Sequence, residues 1–247
     1  MKKSRILIAD LETAGPNSFR SDLAAIVNFG FKFLGEKRAR VLTIDQFPKW
    51  FSTEKGLNDK GLLKAALAIM EEAEIVVFHY GSRFDAKFLR GRCAIHGLTP
   101  PSPAKVVDTW ELARRAFNFS SNRLGNLCDT LRVKHKKYQK DNPDEWPGWW
   151  IRTLAGDKKA IHAMARYCAQ DVDALADLYL VLRPYATTHP RLVEDRSKCK
   201  LCGSRVQYRG TAVVGEHRYR RYQCTNGKCG HWDRERRALK DIIDHED

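Results

Sequence analysis

The chain is 247 residues long, beyond the commonest single-domain size, so one substantial domain with a smaller companion is expected. With 43% hydrophobic and 30% charged residues it reads as neither a disordered chain nor a membrane protein; no apolar run approaches the roughly 20 residues that span a bilayer. A formal charge of +14 points to a polyanionic partner, because basic surface attracts phosphate at long range and releases counterions on contact.

Met1, Lys2, Lys3 and Ser4 lead straight into an apolar run with no separate cleavable segment, so no signal peptide is read and a reducing, cytoplasmic location is expected. Seven cysteines then argue against a disulfide framework. Residues 6–9, Ile-Leu-Ile-Ala, form a buried strand whose end carries Asp10 and Glu12. Strand side chains alternate faces, so these two acids project to the same side, about 7 Å apart along the chain. Two anions repel. At about 4 Å and an effective dielectric near 20 a like-charged pair costs on the order of 4 kcal/mol, so it is kept by a cation, a shared proton or open water.

Residues 24–34 and 40–44 continue an antiparallel meander, and 57–72 is helical, with Leu62, Leu63, Ala66, Leu67 and Met70 at helical spacing. The buried strand 74–79 precedes a helix over 84–96 that ends at Gly97, and Asp85 opens that helix. A short strand at 106–107 runs into Asp108, the N-cap of a helix reaching 116, and a further helix covers 123–132. Capping is a sufficient task for Asp108, which is left out of the site. Residues 134–150 read as a loop mixing lysines, Lys136 and Lys137 among them, with Trp146, Trp149 and Trp150, either to guide a single strand or to anchor the next helix. That helix, 157–182, has an apolar stripe of Ile161, Met164, Cys168, Leu175, Leu178 and Leu182. Tyr167 and Asp171 lie one turn apart on it and share a face. Three strands followed by alternating strand and helix predict an α/β mixed sheet flanked by helices.

Asp10-Leu-Glu12-Thr, Phe84-Asp85 and Tyr167-x-x-x-Asp171 together resemble the three motifs of the DEDD, or DnaQ-like, 3′-5′ exonucleases, in the subclass with tyrosine in its third motif (DEDDy). The resemblance implies a ribonuclease H-like fold and two Mg²⁺ or Mn²⁺ ions. Asp10 would bridge both, Glu12 and Asp171 would complete the site of the attacking water, Asp85 would hold the second ion and Tyr167 would orient the water. Carboxylate oxygens suit such hard cations, and paired ions suit phosphodiester hydrolysis. Where the family usually carries an asparagine shortly before the second aspartate, this chain has Tyr80 and Gly81.

Pro184 and Pro190 mark a boundary, and from residue 196 to 240 thirteen basic side chains face three acids, Glu216, Asp233 and Glu235. Cys199-x-x-Cys202-Gly and Cys224-x4-Cys229-Gly resemble a zinc ribbon, in which four thiolates hold one structural Zn²⁺. His217 and His231 are not needed as ligands, and Cys93, Cys128 and Cys168 read as small core residues. Arg205, Arg209, Arg218, Arg220 and Arg221, interleaved with tyrosines, suit a strand-backbone tracker; a protein-docking or merely solvated face is the alternative.

The expected organisation is an exonuclease domain over 1–186, a linker over 187–197 and a zinc ribbon with an acidic tail over 198–247. The expected function is a metal-dependent 3′-5′ exonuclease acting on nucleic acid, single-stranded DNA ahead of RNA, and working in trans with a polymerase or a replication or repair complex. The competing readings are a non-catalytic zinc-ribbon nucleic-acid-binding protein and an RNA exonuclease or endonuclease of the same fold.

Overall fold

The structure is a computed structural model that describes residues 5–100, 104–135, 146–235 and 239. It divides into two compact units, Ser4–Leu182 and a C-terminal unit built from Arg183 onward. The latter takes in residues 187–197, where Leu192 and Val193 are buried. Among the described residues no helix is long and apolar enough to cross a membrane.

In chain order the first unit comprises β1 (Ile6–Ala14), β2 (Ala25–Phe33), β3 (Arg40–Thr43), the short pair β4 (Phe51–Ser52) and β5 (Gly56–Leu57), α1 (Lys60–Glu71), β6 (Ile75–Phe78), α2 (Asp85–His96), β7 (Lys105–Asp108), α3 (Thr109–Ala116), α4 (Leu124–Thr130), α5 (Trp146–Leu154) and α6 (Lys158–Leu182). Five strands form one mixed sheet in the order β3-β2-β1-β6-β7. The meander β1–β2–β3 is antiparallel, while β6 and β7 join parallel to β1 through helical crossovers.

Two sequence expectations are corrected. Residue 57 is not helical, because Gly56 and Leu57 pair with Phe51 and Ser52, and α1 starts only at Lys60. The segment expected to be a loop up to residue 150 already enters α5 at Trp146. Trp149 and Trp150 pack against the buried cluster of Ala14, Val27, Ile44, Ile161 and Met164, and the Trp150 indole donates to the Thr13 carbonyl at 2.9 Å. The tryptophans at 149 and 150 are anchors.

The two sheet faces are told apart by alternation along β1 and β2. Leu7, Ala9, Leu11, Phe29 and Phe31 face α1 and α2, meeting Leu62, Leu63, Ala66, Phe88 and Leu89 in the main core. The intervening positions face α6. Where α1 and α2 meet the start of β2, the fully buried Asp59 accepts hydrogen bonds from the Ile26 amide (2.8 Å) and from Arg92 Nε (2.9 Å) and Nη2 (2.7 Å), with His96 Nε2 at 2.6 Å. Arg92 also donates to the Ser21 carbonyl. Burial makes this pair costly to break, because removing one partner strands the other charge.

The C-terminal unit is a three-stranded antiparallel sheet, β10-β9-β8, formed by β8 (Val206–Val214), β9 (His217–Cys224) and β10 (Trp232–Arg234). Its buried cluster is little more than Cys199, Leu201, Cys224 and Cys229. Two tight turns present the cysteines. Gly203 (φ 76°) and Gly230 (φ 58°) take the left-handed conformation that returns the chain, with Gly203 N–H bonded to the Cys199 carbonyl and Gly230 N–H to that of Asn226.

Replacing Arg92 by methionine should lower unfolding stability by about 3–5 kcal/mol, because Asp59 would remain buried without its main counter-charge. Denaturant titration of the two proteins measures the difference.

Candidate active site

The site begins at the end of β1. Asp10 lies directly opposite Gly30, and Glu12 opposite Asn28, before a bulge shifts the register after Glu12. Residues opposite one another share a face, so both acids point to the α6 side. Glu12 is 8% exposed and Asp10 is half-buried.

What brings α6 to them is the face β2 offers. At Asn28 the side-chain amide donates to the Ile161 carbonyl at 3.2 Å. At Gly30 a Cβ would stand 2.6 Å from Cys168 Sγ and 2.9 Å from Val172 Cγ2, so only glycine allows this approach. At Lys32 the ammonium reaches Asp173 at 2.6 Å. Three alternate positions of one strand therefore fix the helix along its length.

α6 then delivers Tyr167, Cys168 and Asp171. Cys168 Sγ lies 3.8 Å from both the main-chain oxygen and Oδ2 of Asp10. One ligand atom each from Asp10, Glu12 and Cys168 falls within 4.8 Å of the others. Asp171, 4% exposed, is hydrogen-bonded to Tyr167. Burial, and then the charges of Asp171, Glu12 and Asp10, hold the Tyr167 phenol far above its ordinary range. The same causes, burial first and then Asp10, Glu12 and Asp171, push up the Cys168 thiol. Both groups keep their protons at neutral pH.

Asp85 arrives from the opposite direction, as the first residue of α2 and 3% exposed. The turn before it is held by Asp108, which accepts from the Tyr80 amide (2.9 Å) and the Ser82 amide (3.0 Å). Asp108 also caps α3 through the amides of Trp110 and Glu111, the task expected of it. Tyr80 is forced to a positive φ of 64°, and at Gly81 a Cβ would lie 2.1 Å from that of Phe78. Burial, and next the charge of Asp10, raise the Asp85 pKa well above the usual carboxylate range, against its own amide and the Leu11 backbone, which pull it down.

Asp10 and Glu12 thus share a tight cluster with Cys168, while Asp85, Asp171 and Tyr167 surround it closely enough to feel its charge. Sequence reasoning placed Cys168 in the core and missed its second surroundings. The signal was its spacing, three residues before Asp171 and on the same helix face. Four mutually repelling acids with oxygen donors fit hard divalent cations, which would reverse the sign of the local field. Lys136 and Lys137 lie outside the described residues. Arg205, Arg209, Arg218, Arg220 and Arg221 are all exposed in the C-terminal unit, and strand alternation distributes those of β9 over both faces of its sheet.

The sequence matches the RNase H superfamily over residues 7–183. The chain belongs to that superfamily. RNase H-like nucleases generally use divalent metal ions, and their substrate is nucleic acid. Among solved structures, the family B DNA polymerase from the hyperthermophilic archaeon Pyrobaculum calidifontis is similar to this RNase H-like chain with a TM-score of 0.54 at 14% identity. The likeness covers 74% of this chain and 26% of the polymerase, and it is a likeness of fold. No curated protein gives a significant match.

A raised Asp85 pKa carries a stability consequence. Between its unfolded value and its higher folded value the native state holds the extra proton, so the metal-free protein loses stability as pH rises through that window. Asp85→Asn should therefore raise the melting temperature of metal-free protein at neutral pH while reducing the further rise that Mg²⁺ gives to wild type. A gain of about 1 kcal/mol corresponds to roughly 2–4 °C for a domain of this size. Thermal melts with and without Mg²⁺ across pH measure both effects.

Proposed function

We propose that the chain is a 3′-5′ exonuclease of the DEDDy type that removes nucleotides from the 3′ ends of single-stranded nucleic acid, DNA ahead of RNA. Its divalent ions would be held by Asp10, Glu12, Asp85 and Asp171. The observation that carries this reading is the convergence of the first-strand acids with Tyr167 and Asp171 of α6, far apart in sequence and coupled by charge. The superfamily supports nuclease chemistry, and the polymerase neighbour favours DNA as substrate. A polymerase or repair complex is the proposed partner.

When bound, the divalent ions supply positive charge against the scissile phosphate and acidify the attacking water. Asp10, Glu12, Asp85 and Asp171 would together hold the ions. Glu12, near the strand end, would also meet the terminal 3′-hydroxyl. Tyr167 is read as a hydrogen-bonding group, its hydroxyl tied to Asp171 and, in the metal-free protein, held protonated by burial and the neighbouring carboxylates. That hydroxyl would orient the attacking water toward the scissile phosphate.

The second unit is proposed as a zinc ribbon. All four Sγ atoms fall within 4.8 Å of one another, with 3.9 Å between Cys199 and Cys229 and 3.4 Å between Cys202 and Cys224. Tetrahedral zinc with bonds near 2.3 Å needs sulfur separations of roughly 3.8 Å, so the donors fit. Without metal the thiols differ: against burial, hydrogen bonds from Ser204 bring Cys202 down to about 7, while burial pushes Cys224 up to about 11 and Cys229 higher still, so zinc binding would release protons.

On a single strand labelled at its 5′ end, wild type with Mg²⁺ should give a ladder shortening from the 3′ end with release of mononucleotides. Asp171→Asn should lower the rate by more than about 100-fold with folding intact, and Tyr167→Phe by about 100-fold. Undiminished cleavage by Asp171→Asn, or cutting of circular single strands, would overturn the assignment. Elemental analysis should separately find one tightly held zinc per chain, and a folded preparation without zinc would remove the ribbon.

A further inference from the structure

The register of the C-terminal sheet sorts its side chains into two chemically different faces. Directly opposite residues share a face, so Tyr208, Tyr222 and Asp233 fall on one side, while Gln223 and Trp232, Arg221 and Arg234, and Ala212 and Tyr219 fall on the other. The first face carries the acids. Asp233 pairs with Lys200, Glu235 lies 3.9 Å from Arg220 and accepts the Tyr222 hydroxyl, and a cavity of about 670 Å³ opens beside Tyr222, Asp233 and Glu235. Lys200 and Arg220 on that side are answered from within.

The second face has no acid among its described residues. Trp232 is 47% exposed, the Arg221 guanidinium lies 5.4 Å from the centre of its ring, and Arg234 lies 4.4 Å from the centre of the Tyr219 ring. Arg221 is further held by a 2.7 Å hydrogen bond from its Nε to the Arg209 carbonyl. Two guanidiniums, directly opposite each other, therefore lie between two aromatic rings on this face of the sheet. Stacking rings suit bases of any sequence, and the intervening arginines suit phosphates.

We propose that this acid-free face, defined by Trp232, Tyr219, Arg221 and Arg234, binds single-stranded nucleic acid, with the rings stacking on bases and the arginines meeting the backbone. The inference rests on the nucleic-acid reading of the chain but not on its catalytic assignment. It makes Arg221 and Arg234 the phosphate contacts, and it assigns Arg218 and Arg220 to the opposite, acid-bearing face.

The test measures binding without cleavage, using the full chain carrying Asp171→Asn and a fluorescent oligothymidylate followed by anisotropy at several salt concentrations. Trp232→Ala should weaken binding by about 5- to 100-fold with the salt dependence unchanged, while Trp232→Phe retains most of the affinity. Replacing Arg221 and Arg234 together by glutamine should weaken binding and flatten the slope of log affinity against log salt by about 1.4. The Arg218→Gln, Arg220→Gln pair should weaken it far less. Equal losses from the two arginine pairs, no loss from Trp232→Ala, or no binding of the oligonucleotide at all would each overturn the proposal. If wild type proves unable to degrade DNA while the Trp232-dependent binding holds, the catalytic reading fails and this one stands.

Discussion

The long helix α6 can bring Tyr167, Cys168 and Asp171 to β1 only because β2 leaves a gap for it at Gly30. Asn28, Gly30 and Lys32 occupy alternate positions of that strand, giving in turn a hydrogen bond, a space without a side chain and a buried ion pair. Phe29, Phe31 and Phe33 on the intervening positions fill the other side. A period-two strand thereby separates adhesion from close approach. Since Gly30 stands directly opposite Asp10, the place where the helix comes nearest is also the place where the acid is presented. Packing and chemistry share one coordinate.

Buried carboxylates in this molecule fall into two classes, told apart by the charge around them. Asp59 is enclosed by an arginine, a histidine and an amide, and Asp108 by four amide donors from two segments. Each is offset where it stands. Asp85 and the acids beside Tyr167 are instead raised or surrounded by one another's charge, at a cost the metal-free fold must carry. Folding stability alone would replace such an arrangement, so its presence points to a ligand of opposite sign.

The strand-borne acid pair was legible because strand period is local, and the Tyr167–Asp171 pair because helix period is local too. The succession of strands and helices along the chain, including the helices carrying Asp85 and Asp171, followed from the same rules. What could not be read is what depends on register between distant segments. Nothing near Gly30 in sequence says that Cys168 will press on it, and nothing near Asp108 says that its carboxylate will also clamp the turn before Asp85. The α5 start was hidden for another reason, since Trp149 and Trp150 look alike as loop aromatics and as anchors until the Thr13 carbonyl supplies a partner.

The arginines of the C-terminal unit show the same limit in sharper form. Along the sequence Arg218, Arg220 and Arg221 look like one basic run, but a strand sends neighbours to opposite sides, and the bulge between Tyr208 and Thr211 resets the pairing beside them. Arg220 then finds Glu235, while Arg221 finds Trp232. A unit whose buried cluster is three cysteines and a leucine, with Cys202 partly buried beside them, does not need either sheet face to make that cluster. If a metal ion supplies the roughly 10–16 kcal/mol that such a site can provide, aromatic side chains that a larger domain would bury remain at the surface. An exposed tryptophan next to two arginines is then the expected consequence of how the unit is held together, and what it contacts is set by the charge that its own face leaves unanswered.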